Sequence, residues 1–253
     1  MKIYVFDFDN TIFSRKVKIV HPNTLKLLKT ISNNKNNILI LATGRKNSEI
    51  KEFNELDGLF DYIITLNGAV IQKGHEMIYE IPIPQSIVKS FFDLVKNNAY
   101  FAGFASKTTE FVFNLRKNFE RKIPNDSVII DSIEQINQNI YQMWIAEDKP
   151  IIQEVAMKIK ALKTLFWHKD GAHFVLEYQN KASALTYLMN MHKPKQVIAV
   201  GDGENDIEML KLADIGIALS NSHSIELKSC ANLIGPHIDD DDLLSFFLKN
   251  DLI

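Results

Sequence analysis

Apolar runs alternate with helix-like segments near the N-terminus of this chain, and this alternation limits the possible folds more than any other feature. The β-rich runs Lys2–Phe8, Asn37–Ala42 and Tyr62–Thr65 are separated by the predicted helices His21–Asn33 and Lys46–Leu56. Strands joined through helices form right-handed βαβ units, whose strands lie parallel in one sheet. The N-terminal part of the chain therefore predicts an α/β domain.

The middle of the chain has a different pattern. The prolines of Ile81-Pro82-Ile83-Pro84 prevent a helix and mark a boundary. Short β-rich runs mixed with helices follow, and the last two runs predict a hairpin around Asp170-Gly171. From Lys181 the strand–helix alternation resumes, with Val197–Val200 as the next buried strand. We therefore predict an α/β domain in two pieces, residues 1–81 and 180–253, with an inserted α+β domain at residues 82–179.

Composition excludes several classes of function. The 253 residues are 46% hydrophobic and 24% charged, which allows a normal core, and the net charge of -2 offers no general attraction to nucleic acid or anionic lipid. The single cysteine, Cys230, cannot form an internal disulfide, so a reducing compartment is expected. No apolar run approaches the roughly 18 to 20 residues of a membrane span, and the N-terminus lacks a signal-peptide pattern. We expect a soluble cytoplasmic protein, monomeric or homodimeric, without nucleic-acid or membrane partners.

A pair of acidic residues follows the first strand. Asp7 and Asp9 are two positions apart, and such residues face the same side of a strand. Two carboxylates so close repel unless a cation or proton lies between them. One could act as a nucleophile and the other as a general acid or base, with donors from Asn10 and Thr11 for a phosphate. The pair alone also fits acids that cap a strand or a helix.

A second acidic segment, Gly201-Asp202-Gly203-Glu204-Asn205-Asp206, closes the later buried strand. Magnesium prefers carboxylate oxygens and water, and this segment offers several such ligands at one strand end. Helix capping explains Asp206 but not the whole string.

Two further candidates for phosphate binding occur where strands and helices meet. Thr43, with the backbone amides near Gly44, follows the second strand, where ligands of parallel sheets bind. Lys181 begins the resumed alternation and could neutralise both a phosphate and a nucleophilic carboxylate. Taken singly, each also fits an ordinary turn or surface residue.

Taken together, these segments resemble the haloacid dehalogenase superfamily of phosphatases, and within it the Cof-type group with a type IIB cap. The resemblance covers both parts of the outer domain, whereas residues 82–179 match in length and α+β character only. The matching segments are Asp7-Phe8-Asp9-Asn10-Thr11, Ala42-Thr43-Gly44-Arg45, Asn67-Gly68-Ala69, Lys181-Ala182-Ser183-Ala184-Leu185 and Gly201 to Leu210.

The resemblance implies a Rossmann-like, doubly wound core and a role for each matching position. Asp7 would be the nucleophile and a Mg²⁺ ligand, and Asp9 the general acid/base, binding the metal through its carbonyl oxygen. Thr43 and Lys181 would orient the phosphoryl group. Asp202 would be a further metal ligand, with Asn205 or Asp206 supporting the metal or its waters. The candidate substrate-binding residues are Thr11, Gly44, Arg45, Asn67 and Gly68.

The chain departs from the family pattern at three places. Asn10 and Ala182 stand where glycine is usual; asparagine tolerates unusual turn geometry, whereas Ala182 could shift Lys181. The acidic run Asp239–Asp242 replaces a more usual glycine-containing tail, and we interpret it as a helix N-terminal cluster. The aromatic residue Trp144 is expected in the core or on a sheet face of the inserted domain, although a strand there could face the active site.

The resulting hypothesis is a magnesium-dependent phosphatase acting on a small-molecule phosphate ester through an aspartyl-phosphate. A phosphomutase acting on sugar phosphates and a catalytically inactive sensor of phosphometabolites are the alternatives. Sugar phosphates and cofactor phosphates are both open as substrates.

Overall fold

The computed structural model describes residues 1–50, 53–114, 127–168 and 171–253. The chain divides into two compact units. The first unit comprises Met1–Arg45, Ile50–Glu80 and Asn180–Ile253, and the second comprises Lys46–Glu49 and Ile81–Gln179. The second unit therefore includes a four-residue segment from the N-terminal part of the chain, which the sequence-based division did not anticipate.

The described residues form sixteen strands and eight α-helices. The strands are β1 Lys2–Phe6, β2 Phe13–Ser14, β3 Ile19–Val20, β4 Asn37–Ala42, β5 Tyr62–Thr65, β6 Val70–Lys73, β7 Glu76–Glu80, β8 Ala102–Ala105, β9 Glu110–Phe113, β10 Ser127–Ile130, β11 Gln142–Ile145, β12 Leu162–His168, β13 Gly171–Leu176, β14 Gln196–Gly201, β15 Ile215–Leu219 and β16 Leu233–Gly235. The helices are α1 Pro22–Ser32, α2 Asn47–Ile50, α3 Gln85–Asn97, α4 Lys149–Lys158, α5 Lys181–His192, α6 Ile207–Leu212, α7 Ile225–Cys230 and α8 Leu243–Lys249.

An eight-stranded sheet with the order β16-β15-β14-β1-β4-β5-β6-β7 forms the centre of the first unit. The six strands from β16 to β5 are parallel, and β6 and β7 add an antiparallel edge. Numbered along the chain, the parallel strands have the order 3-2-1-4-5-6 of doubly wound folds. This confirms the predicted α/β class with a Rossmann-like parallel sheet.

Both faces of this sheet are buried, as a parallel sheet with helices on each side requires. On β1, Tyr4 and Phe6 belong to one core cluster, while Ile3 and Val5 belong to the cluster on the other face. This alternation explains why β1 is apolar at successive positions. The first face packs against α1 and α8, and the second against α5 and α6.

The strand order reverses between β1 and β14, which lie side by side. Ligands of doubly wound sheets bind beyond the carboxyl ends of strands at such a switch point. Asp7 follows β1 directly, and its backbone amide donates to the carbonyl oxygen of Val200 in β14 at 2.9 Å. Asp202 follows β14 directly. The two acidic segments of the sequence therefore meet at the reversal of the sheet.

A six-stranded sheet with the order β10-β9-β8-β11-β13-β12 forms the second unit. Its pairings are antiparallel except for the parallel pair β9 and β10. Helices α3 and α4 pack on one face, where Phe91 contacts Phe104 and Phe174 edge-on. Phe101, Val112, Trp144 and Ala146 form a separate buried cluster. The α+β character predicted for this part of the chain is confirmed.

Several local predictions differ from the structure. The sequence pattern predicts a helix from Pro150 to Leu162, but the helix ends at Lys158, because Leu162 pairs with Leu176 in the β12–β13 hairpin. Strands β6 and β7 were not predicted; their turn contains Gly74, whose φ of 57° favours glycine. The helix expected over Lys46–Leu56 is described as α2 and a separate 3₁₀ turn, with residues 51–52 outside the described part. Residues 169–170, at the predicted hairpin turn, also lie outside it.

In the described part of the chain, no helix combines the length and the apolar character that crossing a membrane would require.

Candidate active site

Lys181 joins the acidic residues of the switch point. Helix α5 begins at this residue, and the preceding Asn180 caps it by accepting a hydrogen bond from the Ser183 amide at 2.7 Å. The fully buried Lys181 ammonium donates to Asp7 Oδ1 at 2.5 Å and to Asp206 Oδ1 at 2.6 Å. The cap thus fixes the helix end from which Lys181 reaches both carboxylates.

Asp206 organises the loop after β14. Its Oδ2 atom accepts hydrogen bonds from the backbone amides of Asp202 at 3.1 Å and Gly203 at 2.9 Å. A Cβ atom at Gly201 would lie 2.6 Å from the Asp206 carboxyl carbon, so only glycine admits this close approach. Asp206 therefore holds both the loop and Lys181, a role beyond the helix capping considered from sequence.

Asp7, Asp202 and Asp206 form a carboxylate cluster in which Asp7 and Asp206 are buried and Asp202 is half-buried. Each offers an oxygen, and these three atoms lie within 4.8 Å of one another. Burial, with the Asp206 carboxylate as the next cause, raises the pKa of Asp202 to about 7. The same two causes raise the pKa of Asp7 well above 3.8, against the lowering effect of Lys181.

The charged state of Lys181 is favoured by its neighbours. Burial disfavours the ammonium form, but the Asp206 and Asp7 carboxylates outweigh this and raise the Lys181 pKa above its ordinary value of 10.5. Three carboxyl groups therefore lie near one ammonium group, so ionisation of all three would leave an excess of negative charge.

The cluster fits a divalent cation. Its donors are all carboxylate oxygens, the type that hard cations such as Mg²⁺ prefer, and an added cation would offset the excess negative charge. Thr11 Oγ1 donates to Asp202 Oδ1 at 3.2 Å and orients that carboxylate. Asp202 and Asp7 are the more available ligands, because both oxygens of Asp206 already accept hydrogen bonds.

The Asp9 side chain pairs with Arg45. Arg45 Nε donates to Asp9 Oδ2 at 2.8 Å and Nη2 donates to Oδ1 at 2.6 Å, a bidentate pair that fixes the carboxylate orientation. The Arg45 guanidinium also lies over the Phe8 ring, 4.9 Å from its centroid. Strand β1 ends at Phe6. Asp9 therefore lies in the turn that follows, and this turn, not the alternation of side chains along a strand, sets its position. Arg45, which the resemblance predicts to bind substrate, contacts Asp9.

The turn after Asp9 explains one departure from the family pattern. Asn10 has a φ of 56°, a left-handed conformation that glycine adopts freely and that asparagine also tolerates. Asn221 Nδ2 donates to the Asn10 carbonyl oxygen at 3.0 Å, while Asn221 Oδ1 accepts from the Ile238 amide at 3.0 Å. Sequence analysis missed Asn221, whose only signal was its position just after a buried strand.

The remaining predicted residues lie around the end of β4. The Thr43 carbonyl accepts from the Asn67 amide at 3.0 Å, and the Thr43 hydroxyl accepts from the Arg45 amide at 3.1 Å. The hydroxyl keeps its own hydrogen to donate. Asn67 Oδ1 accepts from Asn205 Nδ2 at 3.0 Å, which joins this region to the loop after β14. Gly44 packs against Asn67, where a Cβ atom would lie 3.1 Å from the amide group.

Gly68 connects this region to the start of α5. Its φ is 93°, and a Cβ atom there would lie 2.0 Å from the Asn180 carbonyl oxygen. Every residue predicted for the site lies in the first unit. The structure brings Asp7, Lys181, Asp202 and Asp206 into one cluster, with Thr11 bonded to it. A second group contains Thr43, Gly44, Asn67 and Asn205, with Gly68 beside Asn180.

The sequence model of a family described as haloacid dehalogenase-like hydrolase matches residues 4–247 of this chain. The chain belongs to this family. Its resemblance to the superfamily is thereby confirmed, and the protein is a hydrolase.

Individual relatives agree with the family assignment. A Streptococcus pyogenes protein, provisionally named a bifunctional phosphatase/peptidyl-prolyl cis-trans isomerase, is 26% identical over 252 residues; the match covers 96% of this chain and 53% of that protein. The chain thus spans about half of that relative. A phosphoglycolate phosphatase from Methanoculleus marisnigri is 27% identical over 227 residues, covering 88% of this chain and 85% of that protein.

Among solved structures, a subclass IIB sugar phosphatase of the same superfamily is 25% identical. Its TM-score is 0.84, and the match covers 100% of both chains. The likeness therefore includes the type of inserted unit as well as the core, in agreement with the type IIB resemblance of the sequence.

Proposed function

We propose that this protein hydrolyses small-molecule phosphate monoesters in a magnesium-dependent reaction that passes through a phosphorylated Asp7. The main support is the contact of the buried Lys181 ammonium with Asp7 and Asp206 at the switch point of the sheet. This arrangement places a fixed cation beside a carboxylate that can attack phosphorus. The sugar phosphatase named among the structural relatives favours sugar phosphates as the first substrates to test.

In the first step an Asp7 carboxylate oxygen forms a bond to phosphorus while the bond from phosphorus to the ester oxygen breaks. Asp9 donates a proton to the departing alcohol. Lys181 balances negative charge on the phosphoryl oxygens, and the Thr43 hydroxyl donates to one of them. In the second step Asp9 takes a proton from water, whose oxygen attacks phosphorus and releases phosphate and Asp7.

We propose that Asp7, Asp202 and the Asp9 carbonyl oxygen hold Mg²⁺, with Asn205 and Asp206 supporting its water ligands. When bound, the ion would screen the repulsion between Asp7 and a phosphate dianion. We further propose that the second unit is the cap and selects the substrate.

The test is phosphate release by the purified protein from p-nitrophenyl phosphate, hexose phosphates, pyridoxal phosphate and flavin mononucleotide. Release should require Mg²⁺ and stop with a chelator. Asp7→Asn should reduce release to the background rate, and a matched change of the exposed Asp57→Asn should leave it unchanged. Mass spectrometry of acid-quenched samples should find a phosphoryl group on the peptide that contains Asp7.

Near-normal turnover by Asp7→Asn would refute the proposal. Isomerised sugar phosphate without free phosphate would indicate a phosphomutase. Binding of a phosphate ester without any turnover would indicate a sensor.

A further inference from the structure

A buried carboxylate, Glu110, lies in the second unit. Glu110, the first residue of β9, accepts a hydrogen bond from Trp144 Nε1 and pairs with Lys46 Nζ at 3.2 Å. Glu110 is 6% exposed and Lys46 is 2% exposed. Burial, only partly offset by Lys46, raises the Glu110 pKa above 4.5. A charged pair this deeply buried is uncommon unless its partners hold it in place.

The indole ring reaches Glu110 because the intervening strand has no side chain in its way. Trp144 in β11 pairs with Gly103 in β8, and a Cβ atom at Gly103 would lie 2.1 Å from the indole ring. Trp144 is 3% exposed and also contacts Phe101 edge-on at 5.1 Å. This ring is therefore a fixed donor to Glu110 in the core of the unit, and not a surface for stacking a ligand.

Lys46 is the chain neighbour of Arg45, and the two cations pair with different acids. Arg45 belongs to the first unit and holds Asp9 with two hydrogen bonds, whereas Lys46 belongs to the second unit and pairs with Glu110. The backbone between them is also constrained. The Arg45 carbonyl accepts from the Leu66 amide at 3.0 Å, and the Lys46 amide donates to Glu49 Oε2 at 2.9 Å.

We propose that Glu110 is a positioning residue for catalysis: by holding Lys46 it fixes the backbone that places Arg45, and Arg45 in turn orients Asp9. This rests on the proposed function, in which Asp9 transfers the proton. Displacing a proton donor by a small distance slows chemistry far more than it weakens substrate binding. Loss of Glu110 should therefore reduce kcat more than it raises KM.

The test compares Glu110→Gln with a matched control, Glu154→Gln, on two kinds of substrate. Glu154 pairs with Lys158 at 2.6 Å on an exposed face of α4, in the same unit. A sugar phosphate needs protonation of its leaving alkoxide, whereas p-nitrophenyl phosphate releases a stable phenolate. Glu110→Gln should lower kcat about tenfold on the sugar phosphate. On the aryl ester kcat should fall much less, and the control should change neither.

A purely structural role predicts a different result, because a smaller folded fraction lowers both activities equally. Equal losses on the two esters would overturn the proposal. The double variant Lys46→Met with Glu110→Gln removes both buried charges and so guards against unfolding caused by an unpaired Lys46. It should remain slow on the sugar phosphate, and full recovery on both esters would also overturn the proposal.

Amide hydrogen exchange tests whether Glu110 affects the position of Arg45, and it does so without a measurement of catalysis. The Leu66 amide, bonded to the Arg45 carbonyl in the first unit, should exchange faster in Glu110→Gln than in the wild type and in Glu154→Gln. Unchanged exchange would overturn the link. If the wild type hydrolyses no ester but this amide responds, the proposed function fails while the link from Glu110 to Arg45 stands.

Discussion

The Lys181 ammonium lies 2.6 Å from Asp206 Oδ1, and both side chains are completely buried. Asp206 also accepts two backbone hydrogen bonds from the loop after β14. One carboxylate thus connects the start of α5 to the loop that contains Asp202, so the position of Lys181 depends on a residue outside its own helix.

Asp206→Ala should lower the free energy of unfolding by about 3 kcal/mol. The substitution removes one of the carboxylates that contact the buried Lys181 ammonium, and it removes the acceptor of two backbone amides. Urea unfolding measures this change. Glu226→Ala is the control, since Glu226 pairs with Lys211 at 3.3 Å on the surface, and it should cost less than about 1 kcal/mol. Equal losses in the two variants would show that Asp206 does not have this structural role.

Gly68→Ala should destabilise more than Gly74→Ala, although both glycines have positive φ. Gly74 has nothing within 4 Å of an added Cβ atom, so its variant reports backbone strain alone, about 1 kcal/mol. At Gly68 the methyl group would lie 2.0 Å from the Asn180 carbonyl oxygen. The clash should displace the cap of α5, and with it Lys181, so phosphatase activity should fall as well.

Thermal unfolding and phosphate release of the two glycine variants check this prediction together. If Gly68→Ala keeps the stability and activity of Gly74→Ala, the contact with Asn180 does not position Lys181.

Asp241 caps α1 from far along the chain, and its loss should destabilise that helix. Its carboxylate accepts hydrogen bonds from the amides of Asn23 and Thr24 at 3.0 Å, whereas the residue preceding the helix, His21, makes no side-chain cap. Asp241→Gly avoids strain at its φ of 54° and should cost about 1 kcal/mol more than Asp240→Gly. Thermal unfolding of both variants measures the difference, and a smaller loss in Asp241→Gly would contradict it.

Asp239 should make stability sensitive to acid. The Ser14 hydroxyl bond, with Lys16 and His21 nearby, lowers the Asp239 pKa below its ordinary value of 3.8. Below the unfolded pKa the unfolded state binds more protons, so the contribution is complete above about pH 4 and is lost as the pH falls through the folded pKa. Asp239→Asn should therefore lower Tm at neutral pH, and the Tm difference between the wild type and the variant should narrow at acidic pH.

Melting curves of the wild type and of Asp239→Asn between about pH 3 and pH 7 measure this Tm difference. The exposed Asp57→Asn serves as the control and should show no comparable narrowing. A Tm difference that widens toward low pH would contradict the lowered pKa of Asp239 in the folded protein.

Features that depend on neighbouring residues were predicted from the sequence, whereas contacts between distant residues were not. The apolar run of β1 is buried on both faces, so the run alone predicted a parallel strand, and Asp7 follows it at once. The acidic run was interpreted as the N-terminal cluster of α8. In the structure Asp239 contacts Ser14 and Asp241 caps α1, because those partners are more than two hundred positions away and no local pattern could indicate them.

Short segments gave the weakest predictions for a related reason. Lys46–Glu49 follows a core strand, so its sequence context assigned it to the first unit. Its pairing with Glu110 depends on a residue 64 positions later, whose burial is decided by the sheet that contains it.

By itself, the sequence determined the α/β class, the inserted unit and the ends of the strands where Asp7 and Asp202 stand. Burial periodicity and turn chemistry are properties of neighbouring residues, which is why they can be recognised without a structure. Only the tertiary structure decided which polar groups pair: Lys181 with Asp206, Asp9 with Arg45, and Glu110 with Lys46. Hydrogen bonds and ion pairs form over about 3 Å, and packing alone brings distant segments of a chain that close.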